Sequence, residues 1–209
     1  MSISRKNFLR LASAGALTTA LVGVTSLPSA NAGNFTDLAP GRAFYTELTW
    51  ASEKGIVRGW ADGTVRPHAA TERCAIAAFF YRYAGSPAFT APVSPSFKDV
   101  PTSHPFYKEI EWFKAQGLTT GWPDGTFRPS AGVERGAVAA FFYRYAGSPA
   151  FVAPAAPSFK DVPTSHPFYK EIEWFKAQGL TTGWPDGTFR PQVAAERGAV
   201  ATFFYRYGH

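Results

Sequence analysis

Apolar side chains return along this chain at two helical spacings separated by a short polar stretch. Tyr107, Ile110 and Phe113, with Phe106 on the flank, fall three to four positions apart, and Val138, Phe141, Phe142 and Tyr145 stand at i, i+3, i+4 and i+7. Each set is one face of an amphipathic helix. The first helix is predicted to open at Ser103-His104-Pro105, where a polar residue precedes a proline suited to the first turn. Gly117 is predicted to close it, letting Leu118 fold back onto Phe113. The second helix is predicted to run from about Glu134 to Tyr145, with alanines on much of its remaining surface. Between the helices, the segment from Gly121 through Asp124-Gly125 to Pro129 has the composition of a tight reversal.

This pattern is repeated. Residues 97–129 recur letter for letter at 159–191, a period of 62 residues. One further step back places Phe35, Asp37, Phe44, Tyr45, Trp50, Gly55, Gly59, Trp60, Asp62, Gly63, Thr64, Arg66 and Pro67 in register as a diverged first copy. Three copies follow, at 34–84, 96–146 and 158–209, joined by Pro-, Ala- and Ser-rich linkers at 85–95 and 147–157. A helix-loop-helix of about 50 residues is marginal by itself. The copies are therefore expected to dock, most simply around a threefold axis with their apolar faces turned inward.

Composition supports a packed interior: aromatic residues make up 16% of the chain and charged residues only 17%. The lone Cys74 excludes an intrachain disulfide, so packing must hold the fold. Residues 1–32 read as a cleavable export signal, with basic Arg5, Lys6 and Arg10, an apolar stretch at 11–24, and Ala30-Asn31-Ala32 as a small-x-small cleavage site. The stretch is diluted by Ser13, Gly15, Thr18, Thr19 and Gly23, which argues against a membrane-spanning anchor, and no stable membrane insertion is expected after cleavage. Residues 4–10 resemble the twin-arginine export motif, with Lys6 in place of one arginine, so the general and twin-arginine routes both stay open. Removing this segment lowers Lys+Arg from 21 to 18 against 15 acidic residues, leaving about +3. That is too mild for a nucleic-acid interface and compatible with an anionic saccharide.

Three motifs occur in order in copies two and three, and in diverged form in copy one: Phe-x-Asp-Val-Pro (Phe97, Asp99, Val100, Pro101), Gly-hydrophobic-x-x-Gly (Gly117 to Gly121), and Pro-Asp-Gly-Thr-Phe-x-Pro (Pro123 to Pro129), ahead of an arginine that opens the second helix. In that combination the chain, over residues 35–207, resembles the S-layer homology family. The resemblance implies a mainly α fold: three helix-loop-helix repeats packed as a pseudo-threefold spindle around a central helical bundle. It also implies grooves between repeats that hold a pyruvylated secondary cell-wall polymer, with Arg73, Arg135, Arg197, Asp37, Asp99 and Asp161 contributing to them. One departure bears on ligand chemistry: where the family has Thr-Arg-Ala-Glu, this chain has Glu72-Arg73-Cys74-Ala75, Glu134-Arg135-Gly136-Ala137 and Glu196-Arg197-Gly198-Ala199.

Each candidate has a structural alternative. The three arginines suit a bidentate pair with a saccharide carboxylate, or a surface pair with the adjacent glutamate. The three aspartates serve as ligand contacts, as turn or capping groups, or as both. Trp60, Trp122 and Trp184 offer an indole to a sugar ring or pack in the core. Asp62, Asp124 and Asp186 read as turn residues, since one carboxylate per loop is too few for calcium. His104 and His166 have no second His or Cys at ligand spacing, and copy one has Arg42 there, so neither a metal nor a cofactor is expected. Glu109 and Glu111, with Glu171 and Glu173, point to different faces of a helix and read as solvated surface rather than paired catalytic acids. With no residues outside the copies to build a catalytic domain, the sequence predicts a non-enzymatic, exported protein that attaches to the cell wall through a polysaccharide. Self-association into a surface layer is the alternative, and an accessory role to a wall hydrolase comes third.

Overall fold

A computed structural model of the chain describes residues 34–209, so the export signal expected at 1–32 lies outside the described residues. Six helices form, and no strand occurs among the described residues: α1 (Tyr45–Glu53), α2 (Arg73–Tyr83), α3 (Tyr107–Ala115), α4 (Arg135–Tyr145), α5 (Tyr169–Ala177) and α6 (Arg197–Gly208). Two helices belong to each copy, as the spacing predicts. The short helix of copy two begins two residues later than Pro105. Its start is held by a turn in which the Tyr107 amide donates to the His104 carbonyl (2.9 Å) and the Phe106 amide to His104 Nδ1 (3.1 Å). His104 thus closes a turn rather than entering a helix.

The predicted C-terminus is as expected. Gly117 takes φ +69°, its amide donates to the Lys114 carbonyl, and the Leu118 amide reaches back to Phe113 O at 3.1 Å. This six-to-one bond ends the helix and folds Leu118 into the core beside Phe113.

Rings such as Phe113 and Phe141 meet within a copy, but the most extensive helix contacts run between copies. α2 packs on α3 and α4 on α5, so the second helix of each copy meets the first helix of the next, and α6 meets α1. Three seams of one kind close a ring. The long helices α2, α4 and α6 converge on its axis, where the fully buried rings of Phe80, Phe142 and Phe204 stand 4.8 Å apart in every pair. Tyr83, Tyr145 and Tyr207 form a second triangle one turn on, at 5.9 to 6.0 Å.

Below the phenylalanines the backbone itself closes the circle. The amide of Thr71 donates to Ala195 O, that of Ala195 to Val133 O, and that of Val133 to Thr71 O, each at 2.8 Å. Antiparallel bridges Ala70–Glu196, Glu72–Gly132 and Glu134–Ala194 flank this ring. Every copy therefore satisfies backbone groups of both others, which is why none of them needs to be stable alone.

The linkers lie on this body without regular structure. Tyr81 Oη donates to Pro87 O and Tyr107 Oη to Pro92 O, both at 2.8 Å, and Phe89 packs against the core as Phe151 does in the second linker. Glu111 corrects the expectation of a solvated helix surface: it is 2% exposed and accepts from the Ser96 amide (2.8 Å) and Ser96 Oγ (2.6 Å). Glu173, 3% exposed, holds the Ser158 amide in the same way at 2.8 Å. The buried carboxylates pin the ends of the linkers to α3 and α5, and Glu109 and Glu171 are not their partners in any acid pair.

Candidate functional site

Each seam gathers residues from all three copies. The first has the loop before Asp62 and helix α2 from copy one, the entry to α3 from copy two, and Arg197 from copy three. Together they line a cleft of about 500 Å³.

The second-helix arginines reach across the seams. Arg73 Nε donates to Phe127 O at 2.6 Å, Arg135 Nε to Phe189 O at 2.8 Å, and Arg197 Nε to Val65 O at 2.9 Å, so the bonds run from copy one to two, two to three, and three to one. All three residues are buried, at 8%, 7% and 5% exposure. No carboxylate lies within ion-pair distance of any of them among the described residues, whose ion pairs involve other groups. Burial is the main reason that the Arg73 and Arg197 guanidiniums are drawn down to about 10 and that Arg135 is lowered too. All remain cationic at neutral pH. The alternative of a surface pair with the adjacent glutamate does not describe them.

What surrounds each guanidinium is aromatic. Arg73 Cζ stands 4.8 Å from the Phe127 ring centre and 5.9 Å from that of Trp122, and Arg135 repeats this with Phe189 and Trp184. In copy one Val65 replaces the phenylalanine. Arg197 there lies 4.2 Å from Trp60, and its Nη2 donates to Arg58 O at 2.9 Å. Cation–π contact partly replaces the lost hydration but leaves the formal charge uncompensated.

The opening aspartates serve the loop backbone. Asp99 Oδ1 and Oδ2 accept from the amides of Phe127 and Arg128, both at 2.7 Å. Asp37 grips Val65 and Arg66, and Asp161 grips Phe189 and Arg190, in the same manner. They fix the loop whose carbonyl receives the seam arginine, one step removed from the cleft.

Three loop arginines escaped the sequence reading. Arg66, Arg128 and Arg190 adopt φ of +51° to +59°, which is costly for a side-chain-bearing residue. That conformation lays each guanidinium over the neighbouring indole, 4.4, 3.9 and 4.1 Å from Trp60, Trp122 and Trp184. One face of every indole is thus covered by the protein's own cation. Trp122 and Trp184 are 38% and 39% exposed.

The same arginines meet Asp62, Asp124 and Asp186, whose Oδ1 also accepts from the hydroxyl and amide two residues on, so these aspartates act as the turn residues expected. Hydrogen bonds from Thr64, Thr126 and Thr188, then the arginines, hold the three carboxyls near 2. A carboxyl depressed below its ordinary value near 3.8 stabilises the fold above that value and loses the contribution as pH falls through about 2. In an acid titration followed by carboxyl NMR, the loops should hold at pH 4 and release only between about 3.8 and 2. Release above pH 4 would show that these bonds do not persist in solution.

No helix among the described residues is long and apolar enough to cross a membrane. The family model described as S-layer homology domain matches residues 34–73, 96–139 and 158–201, one match to each copy. Cell surface glycoprotein 1 of Acetivibrio thermocellus is 30% identical over 154 residues, 69% of this chain and 7% of its own length. The Cellulosome-anchoring protein of the same organism is 31% identical over 147 residues, 68% of this chain and 33% of its own. S-layer protein EA1 of Bacillus anthracis is 30% identical over 119 residues, 57% of this chain and 14% of its own. The chain thus spans at most a third of the length of these relatives.

Proposed function

Because this chain belongs to the S-layer homology domain family, we propose that it attaches non-covalently to the bacterial cell wall by holding an acidic wall glycopolymer in the seams between its copies. The observation that carries this reading is the buried guanidinium without a carboxylate partner, set among aromatic rings, at each of the three seams. A cation so placed is poised for a charge-assisted, bidentate bond to an anion that arrives with its own sugar surface. A pyruvyl ketal on a secondary cell-wall polymer is a carboxylate of that kind. The names of the relatives, a cell surface glycoprotein, an anchoring protein and an S-layer protein, fit a role at the cell surface. Three linked sites also gain strength from tethering.

The test is co-sedimentation of the chain with purified wall sacculi before and after acid stripping of their glycopolymers. Binding to intact sacculi that disappears on stripping is expected. Binding that survives would move the ligand to peptidoglycan, and ordered sheets formed without wall material would favour self-assembly instead.

A further inference from the structure

The three seams are alike in plan, and among the differences between them two residues of copy one set the first seam apart. At the first seam Arg58 occupies the position held by Thr120 and Thr182 at the other two. It lines the cleft with Trp60, Phe79, Arg82, Phe106 and Arg197. Arg58 is exposed, and among the described residues its guanidinium has no hydrogen-bond or ion-pair partner. The cleft also carries Glu72 and Glu109, so three arginines face two glutamates. At the equivalent positions of the second seam, Arg73 and Arg144 stand against Glu134 and Glu171; at the third, Arg135 and Arg206 stand against Glu196 and Glu47. Glu196 is further engaged by His68 at 3.1 Å. The first seam alone has a surplus cation. Its arginines also repel one another, Arg58 acting on Arg82 and Arg82 on Arg197.

The second difference is steric. Helices α4 and α6 carry Gly136 and Gly198 just inside their first turn, and an aromatic ring lies on each. A Cβ built on Gly136 would come within 3.2 Å of Phe168, and one on Gly198 would run into the Phe44 ring. Phe44 reaches that position in a left-handed conformation, φ +66°. Helix α2 has Cys74 instead, whose buried Sγ donates to Glu72 at 3.4 Å. A side chain thus stands here where the other two helices leave a bare Cα against a ring, and the equivalent ring, Phe106, lines the cleft. Burial pushes the thiol up to about 12, so it acts as a spacer and not as a nucleophile.

We infer that the first seam is the principal binding site, taking one acidic saccharide per chain, with Arg58 supplying its surplus charge and Cys74 holding it open. The inference rests on the glycan-binding reading above and narrows it from three equal grooves to one dominant groove. A saccharide carboxylate entering the first seam meets Arg197 beside Trp60, with Arg58 at the exposed mouth to receive it and Arg82 on the α2 wall.

The variants follow from the copies themselves. Arg58→Thr installs the residue of the other two copies at an exposed position, and Thr120→Arg with Gly136→Cys moves both features to the second seam. In binding isotherms of the full chain on wall sacculi, Arg58→Thr should weaken affinity about tenfold, as loss of a charged hydrogen bond would, with an unchanged thermal melt. Adding the two second-seam changes should restore binding in part. Soluble glycopolymer released from the sacculi should saturate the wild-type chain at one site. Unchanged affinity in Arg58→Thr, or saturation at three equal sites, would overturn the single dominant seam and leave the groove reading standing. Failure of the wild-type chain to bind sacculi would remove both.

Discussion

Phe142→Ala is expected to destabilise the whole chain by about 3–5 kcal/mol, a large share of the roughly 5–15 kcal/mol typical of a domain. Phe142 is fully buried on the axis, 4.8 Å from both Phe80 and Phe204 and 5.5 Å from Phe175 and Tyr207. Truncation leaves a cavity that none of the copies can fill by local collapse, because its walls come from all three. The carbonyl-to-amide ring at Thr71, Val133 and Ala195 ties the same copies together, so the loss is felt as one event. Urea unfolding followed by circular dichroism and by tryptophan fluorescence should remain a single coincident transition moved to lower denaturant. A separate transition accounting for a third of the signal would mean that the copies fold as independent beads, and the seams described above would not be fixed structures.

Arg197→Met is expected to separate binding from stability. The arginine is 5% exposed, donates to the carbonyls of Val65 and Arg58, and has no carboxylate partner. Replacing it removes two hydrogen bonds, each worth about 1 kcal/mol net, and also removes the desolvation of an uncompensated cation, which costs several kcal/mol. These contributions oppose one another, and a side chain of similar length keeps the packing against Trp60 and Phe79. Net stability should change by less than about 2 kcal/mol. Sacculus affinity should fall about a hundredfold, the equivalent of about 2.7 kcal/mol for a lost charge-assisted pair. Arg197→Lys, which keeps the charge without the planar fork, should fall between the two. Arg135→Met should matter less, given the surplus charge at the first seam. Equal retention of wild-type and Arg197→Met protein on sacculi would remove this arginine from the site.

The helices, their glycine-terminated end and the threefold repetition were legible because each is written in local spacing: Ile110 and Phe113 on one face, Gly117 at φ +69°, Phe142 in register with Phe204. What lay beyond sequence was decided between distant residues. Periodicity treats a carboxylate as solvent-facing, and Glu111 is buried only because Ser96, 15 residues earlier, supplies two donors. Identical copies say nothing about which neighbour each will pack against, so the pairing of α2 with α3 rather than α1 had no local sign. The family resemblance pointed to Arg197, but the meaning of Arg58 depends on lying in the same cleft as a residue 139 positions away. Its singularity could still have been noticed, since comparing the three copies column by column sets one arginine against two threonines.

The crossed pairing of helices has a topological consequence. Two seams are spanned by covalent linkers, whereas the contact of α6 with α1 is made by copies that no peptide segment joins directly. A circular permutant, opened within 147–157 and closed by an equivalent tether from copy three to copy one, would thread the same ring with every seam intact. Copy order is thus a property of the gene and not of the architecture, and each copy is free to diverge in its side chains while the scaffold stays indifferent to which comes first.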